Sequence, residues 1–181
     1  MNKTNLTSLQ KTIYMSLFTG LFIVGGAISI PLPISPVPVT LTDFFVMIAA
    51  ITLGTTSVTP ILLYLFFGII GLPVFSNGGS GLFFLLGPTG GFLIGFLPLA
   101  YISGLSVDKV ESTVKSLFYL VIGNLVLYGF GVTWMMLRLG LSIYAATSIG
   151  FLPFMPGTVL KLIVVLLVQK KVVKKWQEKF R

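Results

Sequence analysis

Asp43-Phe-Phe-Val-Met-Ile-Ala-Ala-Ile-Thr-Leu53 opens a stretch that runs on through Pro60-Ile-Leu-Leu-Tyr-Leu-Phe-Phe-Gly-Ile-Ile70 and Gly91-Phe-Leu-Ile-Gly-Phe-Leu-Pro-Leu-Ala100. No charged side chain interrupts it until Asp108, so the 64 residues from Phe44 to Val107 are all uncharged. A water-soluble fold has loops and an outer surface that need polar cover. The hydrocarbon of a bilayer makes charge costly and apolar residues favourable. The stretch places the chain in a membrane.

Composition sets the scale. Of 181 residues, 55% are hydrophobic and 9% charged. A helix needs about 20 apolar residues to cross a ~30 Å hydrocarbon core, so the chain has room for roughly five to seven crossings and no separate soluble domain. The net charge is +8, yet its placement argues against nucleic acid as a partner. Lys170, Lys171, Lys174, Lys175, Lys179 and Arg181 all follow the last apolar segment, where basic residues mark a cytoplasmic flank. With no Cys and no His, the chain lacks a disulfide framework, a thiolate nucleophile, the usual transition-metal ligands and the commonest general base. No cofactor, metal site or catalytic residue is expected.

The expected architecture is an all-α membrane protein, one integral domain over residues 1–181, with six transmembrane helices at roughly 12–30, 43–57, 58–70, 90–105, 114–138 and 156–173. The first segment, with Gly25, Gly26 and Ala27 near its end, is long for a secretion signal and reads as a membrane helix. The second and third are short for full crossings. Between them, Gly54-Thr-Thr-Ser-Val-Thr59 is either a tight cytoplasmic turn or a helix break. Residues between Arg138 and Phe151 read as a short connection.

Six crossings put both termini on one side, and the lysines make that side cytoplasmic. Three irregular segments then face out. Pro31-Leu-Pro-Ile-Ser-Pro-Val-Pro38 is extended and stiff, because four prolines in eight positions exclude helix. Gly71 to Gly91 holds seven glycines, and Pro153–Gly157 forms a turn. Irregular backbone at membrane depth survives where it is buried in protein or lines a cavity. Three such segments on one face suggest the walls of a pocket, although Gly and Pro also end helices for purely local reasons. Gly87-Pro-Thr-Gly-Gly91 lacks the Lys and Ser/Thr of a nucleotide-binding loop, so ATP is not hydrolysed here by that route.

Lys161 stands inside the last apolar segment, with eight residues between it and the next charge, Lys170. Such a residue is a functional candidate by default, with snorkelling of its long stem as the structural alternative. An unpaired ammonium near a helix N-terminus would complement an anion, most simply a carboxylate. Asn77 can donate and accept, or can hold a left-handed turn beside Gly78. Asn124 and Tyr128 share a helix face and suit interhelical hydrogen bonds better than ligand contact. Asp43 is better placed to cap its helix than to bind. Ser16 and Gly20 give a small-xxx-small spacing for close approach of another helix.

The motifs Pro36-Val-Pro-Val-Thr40, Gly68-Ile-Ile-Gly-Leu-Pro-Val-Phe75, Gly87-Pro-Thr-Gly-Gly-Phe-Leu-Ile-Gly-Phe96 and Leu152-Pro-Phe-Met-Pro-Gly157 with Lys161 resemble the biotin-specific S components of energy-coupling factor (ECF) vitamin transporters. The resemblance spans nearly the whole chain. It implies the S-component fold, an outward-facing high-affinity pocket, a multi-pass place in a prokaryotic plasma membrane, and partners on other chains: a membrane coupling subunit and two ATPases. It also implies substrate-binding roles for Lys161, Asn77, Thr158, Thr42, Phe92, Phe75 and Thr40, and a coupling-subunit contact at Ser16 and Gly20. Three positions depart from the family pattern. Thr42 stands for the usual Gln, Thr158 for the usual Asp, and Phe92 for a frequent Tyr. Such losses weaken contacts to a ureido ring and pull towards a ureido-free acid such as lipoate, while the family default remains biotin. An intramembrane enzyme is a remote alternative, since nothing beside Lys161 suggests an activating partner.

Overall fold

The computed structural model describes residues 8–109 and 113–170. The basic residues beyond Lys170, Lys3, Glu111 and the side chains of Asp108 and Lys109 lie outside what it describes.

Helix α1 covers Ser8–Ala27, ending earlier than residue 30. The prolines that follow forbid helix, and Ser29–Leu32 (β1) turns through Pro33-Ile34 into Ser35–Thr40 (β2). The two strands pair antiparallel, Ser29 with Thr40 and Leu32 with Ser35, with an irregularity between Ile30 and Leu32. Pro31 sits in that irregularity, one of the few places where a strand accepts a residue without an N–H.

Helices α2 (Thr42–Leu53) and α3 (Val58–Ile69) are joined by a 3-10 turn, Gly54–Ser57. The chain reverses there. Neighbouring residues of α1 meet both helices, since a Cβ on Gly25 would lie 2.9 Å from Thr42 N and one on Gly26 3.3 Å from the Tyr64 hydroxyl, yet in one straight helix the Cα atoms of Thr42 and Tyr64 would stand ~33 Å apart. Helix α5 (Gly90–Lys109) packs on the reversal, and a Cβ on its Gly104 would lie 2.5 Å from the Gly54 carbonyl. Ser57 Oγ closes the turn by donating to Gly54 O at 2.7 Å.

The glycine-rich stretch is less irregular than its composition suggests. It contains a 3-10 turn at Ser76–Gly78 and a short helix, α4, at Leu82–Leu86. Helix α6 runs Thr113–Leu139 and makes its most extensive packing with α5. The supposed short connection after Arg138 contains an eight-residue helix, α7 (Ile143–Gly150), capped by Ser142 Oγ accepting from Ala145 N at 3.3 Å. Its apolar run was cut short in the sequence by Gly150 and Pro153. A 3-10 turn, Leu152–Phe154, leads into α8, Met155–Val168.

Among the described residues, four helical runs are by length and composition apolar enough to cross a membrane: Thr42–Ile69, Gly90–Val107, Thr113–Leu139 and Ile143–Val168, the first of them counting α2 and α3 together although the chain reverses between them. Burial is inverted relative to a soluble protein. In α8 the apolar Leu160, Ile163 and Leu167 are exposed while Thr158 is buried, the distribution expected when the solvent is lipid and polar groups must find partners inside.

Candidate functional site

The β1–β2 hairpin, the segment Ser76–Thr89 and the turn at Phe154 meet over a cavity of about 60 Å³. Its walls are largely aromatic and aliphatic, with Phe92, Phe96, Leu127, Tyr128 and Phe154 among them, and its polar groups include Thr40, Thr42, Asp43, Tyr64 and Lys161. Apolar walls with a few convergent polar groups are the usual make-up of a small-molecule site.

The polar centre is an ion pair. Lys161 Nζ donates to Asp43 Oδ1 at 2.7 Å, to Asp43 Oδ2 at 2.9 Å and to the Thr40 carbonyl at 2.7 Å. Both side chains are nearly buried, with 13% and 12% of their surfaces exposed. Two expectations are corrected here. Lys161 is not an unpaired ammonium. Asp43 does not cap α2, which starts after Leu41 without a side-chain cap. Asp43 lies one residue inside the helix, where its carboxylate leans across to α8 and finds the only charge the described membrane interior offers it.

The aromatic wall is set by helix packing. Gly131 on α6 leaves room for the Phe92 ring, since a Cβ there would fall 2.3 Å from it. Phe92 meets Tyr128 edge to face at 6.3 Å. Tyr128 in turn hydrogen-bonds Thr158 across α6 and α8 at 2.5 Å, and Thr158 Oγ1 lies 3.0 Å from Phe154 O. Asn124, one turn away, donates within its own helix to Leu120 O and contacts Met47 Sδ at 3.2 Å.

Of the residues singled out by sequence, Lys161, Thr42, Phe92 and Thr40 line the cavity. Thr158 stands behind Tyr128 with its hydroxyl engaged. Phe75 is buried behind the wall, its ring against Tyr64 at 5.4 Å. Asn77 takes the left-handed conformation, φ 55°, and lines a second recess of about 310 Å³ that shares Pro38, Ser76 and Thr89 with the first. Ser16 and Gly20 are far from this chemistry, exposed on α1, and a Cβ on Gly20 would meet nothing within 4 Å.

Sequence reasoning assigned Asp43 to capping rather than to the site, and it assigned Tyr128 to interhelical hydrogen bonding, the kind of bond it makes to Thr158; it gave no place to Tyr64, which lines the cavity, or to Trp134, whose Nε1 donates to Gly87 O at 2.9 Å outside it. Asp43 carried a signal, being the only carboxylate between Met1 and Val107. The expectation that polar ring contacts had been lost through Thr42, Phe92 and Thr158 is revised accordingly, because a carboxylate does stand beside Lys161. Among the described residues no cluster of His, Cys, Asp and Glu could hold a metal ion.

Comparison with known proteins points one way. Residues 1–178 match the model of the BioY family. The biotin transporter BioY of Thermotoga maritima is 40% identical over 161 residues, covering 88% of this chain and 94% of that protein. The probable biotin transporter BioY of Pyrococcus horikoshii is 37% identical over 148 residues, 81% of this chain and 86% of that one. A crystal structure of the S-component for biotin from an ECF-type ABC transporter superposes with a TM-score of 0.84 at 25% identity, covering 93% of this chain and 95% of the other.

Proposed function

Because this chain belongs to the BioY family, we propose that it is the biotin-binding S component of an ECF-type importer, which takes the vitamin from outside the cell for uptake driven by ATPases on partner chains. The observation that carries the reading is the cavity under the three loop segments, apolar-walled and floored by Lys161 and Asp43. Its lining suits binding, and among the described residues no nucleophile and base stand in catalytic juxtaposition around it.

In this reading α1, α2, α3, α5, α6 and α8 make six crossings, with the reversal at Gly54–Ser57 separating two of them. Helices of 12 residues reach only ~18 Å, so the flanking turns and local bilayer thinning complete those two passes. The basic tail sets both termini in the cytoplasm, which turns the hairpin and the Ser76–Thr89 segment outward in a prokaryotic plasma membrane. The substrate contacts are Lys161, Thr40, Thr42 and Phe92 directly, Asn77 at the entrance, and Thr158 and Phe75 as supports. Ser16 and Gly20 on α1 meet the membrane coupling subunit, and two ATPases complete the module. Lipoate gains no support: the relatives are named for biotin, and the pocket retains a carboxylate.

Isothermal titration of the purified chain with biotin tests the proposal. Binding with a Kd below about 1 µM is expected, and a Kd above that range for biotin would overturn it.

A further inference from the structure

The ammonium of Lys161 has three protons, and the structure uses all of its donor capacity on Asp43 and the Thr40 carbonyl. The pair is therefore closed and sums to zero charge. A ligand carboxylate brought to this floor would have to displace Asp43 or the Thr40 carbonyl to reach a donor of Lys161, and it would bury a second negative charge beside Asp43. The Asp43 carboxylate, in contrast, has acceptor capacity beyond the two contacts that Lys161 makes. What such a floor accepts is an uncharged group carrying N–H donors.

Resting on the biotin reading, we infer that Asp43 is the specificity-determining residue of this pocket. It accepts the N–H of the ureido ring, so that the vitamin enters head first and its carboxylate tail is left in the wider recess between the hairpin and the Ser76–Thr89 segment. The floor cavity measures about 60 Å³, and the recess that shares Pro38, Ser76 and Thr89 with it measures about 310 Å³. Asn77 lines that recess and offers the tail a neutral donor. Two kinds of ligand follow: biotin derivatives with a masked carboxylate are accepted, and acids without an N–H-bearing head are refused.

The experiment compares biotin, biotinamide and lipoate by equilibrium binding to the purified wild-type chain and to Asp43→Asn. For the wild type, biotinamide is expected within about tenfold of biotin, because the tail makes no ion pair at the floor. Asp43→Asn is expected to weaken both ligands by a similar factor, roughly 10- to 100-fold, the loss of one charge-assisted hydrogen bond. Biotinamide bound about 100-fold or more weakly than biotin by the wild type would overturn the inference, since Lys161 would then hold the carboxylate. Tighter biotin binding by Asp43→Asn, or lipoate binding as tight as that of biotin, would overturn it too. These wild-type comparisons need no variant to fold. Biotin bound with biotinamide refused defeats only the head-first pose, whereas neither ligand bound defeats the biotin reading itself.

Discussion

Lys161 Nζ and Asp43 Oδ1 lie 2.7 Å apart although 118 positions separate them in sequence. The contact joins α8 to the first turn of α2 and holds the hairpin's last residue, Thr40, through its carbonyl. One side chain thus ties two helices to the loop that covers the cavity. Its removal would cost stability as well as binding.

Lys161→Ala leaves Asp43 nearly buried and alone. The expected loss is about 3 kcal/mol of stability together with biotin binding. A double variant, Lys161→Met with Asp43→Leu, removes the unpaired charge and is expected to regain most of the thermal stability while still failing to bind. Recovery of binding by the double variant would show that the pair is scaffolding only. Thermal denaturation and titration of the same samples separate the two effects.

Gly131→Ala pushes a methyl group into the Phe92 ring. Overpacking of this kind costs about 1–3 kcal/mol, and because Phe92 lines the cavity, affinity should fall with stability. Gly129→Ala on the same helix is the control, since a Cβ there meets nothing within 4 Å; it should be neutral or slightly stabilising. Equal behaviour of the two variants would contradict the packing seen around Phe92.

Thr158→Val removes the hydroxyl that pairs with Tyr128 and leaves a buried phenol without that partner. A loss of about 1–3 kcal/mol follows. Tyr128→Phe removes the same bond but leaves Thr158 its contact with Phe154 O, so it should cost less, about 1 kcal/mol. Melting temperatures that rank the other way would mean the phenol finds another partner.

Asn77→Gly keeps the left-handed backbone and deletes only the side chain, whereas Asn77→Ala also strains the turn by about 1 kcal/mol. If the amide reaches the ligand, both variants lose affinity. If Asn77 serves only its turn, Asn77→Gly binds like the wild type and only Asn77→Ala is destabilised.

Gly20→Phe tests the partner surface. The position is open, so fold and biotin affinity should stay within about twofold, well inside the scatter of surface substitutions. Recovery of a co-expressed coupling subunit on the tagged chain should fall sharply. Undiminished recovery would remove Gly20 from the contact.

Much of the membrane architecture is readable from local chemistry. An uncharged run from Phe44 to Val107 has one tolerable solvent, whatever the tertiary arrangement. The four prolines between Pro31 and Pro38 exclude helix wherever they lie, and Gly54-Thr-Thr-Ser57 interrupts the apolar run on composition alone. The hidden helix α7 shows the limit, because eight residues bounded by Gly140 and Gly150 give a weak periodic signal that looks like a loop. Lys161 could be singled out because an isolated charge in an apolar segment is conspicuous in one dimension.

Its partner could not. Asp43 sits at the head of a helix, where a carboxylate has an adequate local explanation in capping, and nothing within its own segment points to α8. Which acceptor neutralises Lys161, whether Thr158 faces ligand or Tyr128, and which wall Phe92 forms all depend on how separate helices are placed against one another. Residue type and spacing determined that this chain lives in lipid and gathers Gly- and Pro-rich segments around a buried charge. The tertiary structure alone decided that the charge is closed by Asp43, because an ion pair across 118 positions is set by helix packing and leaves no trace in the periodicity of either segment.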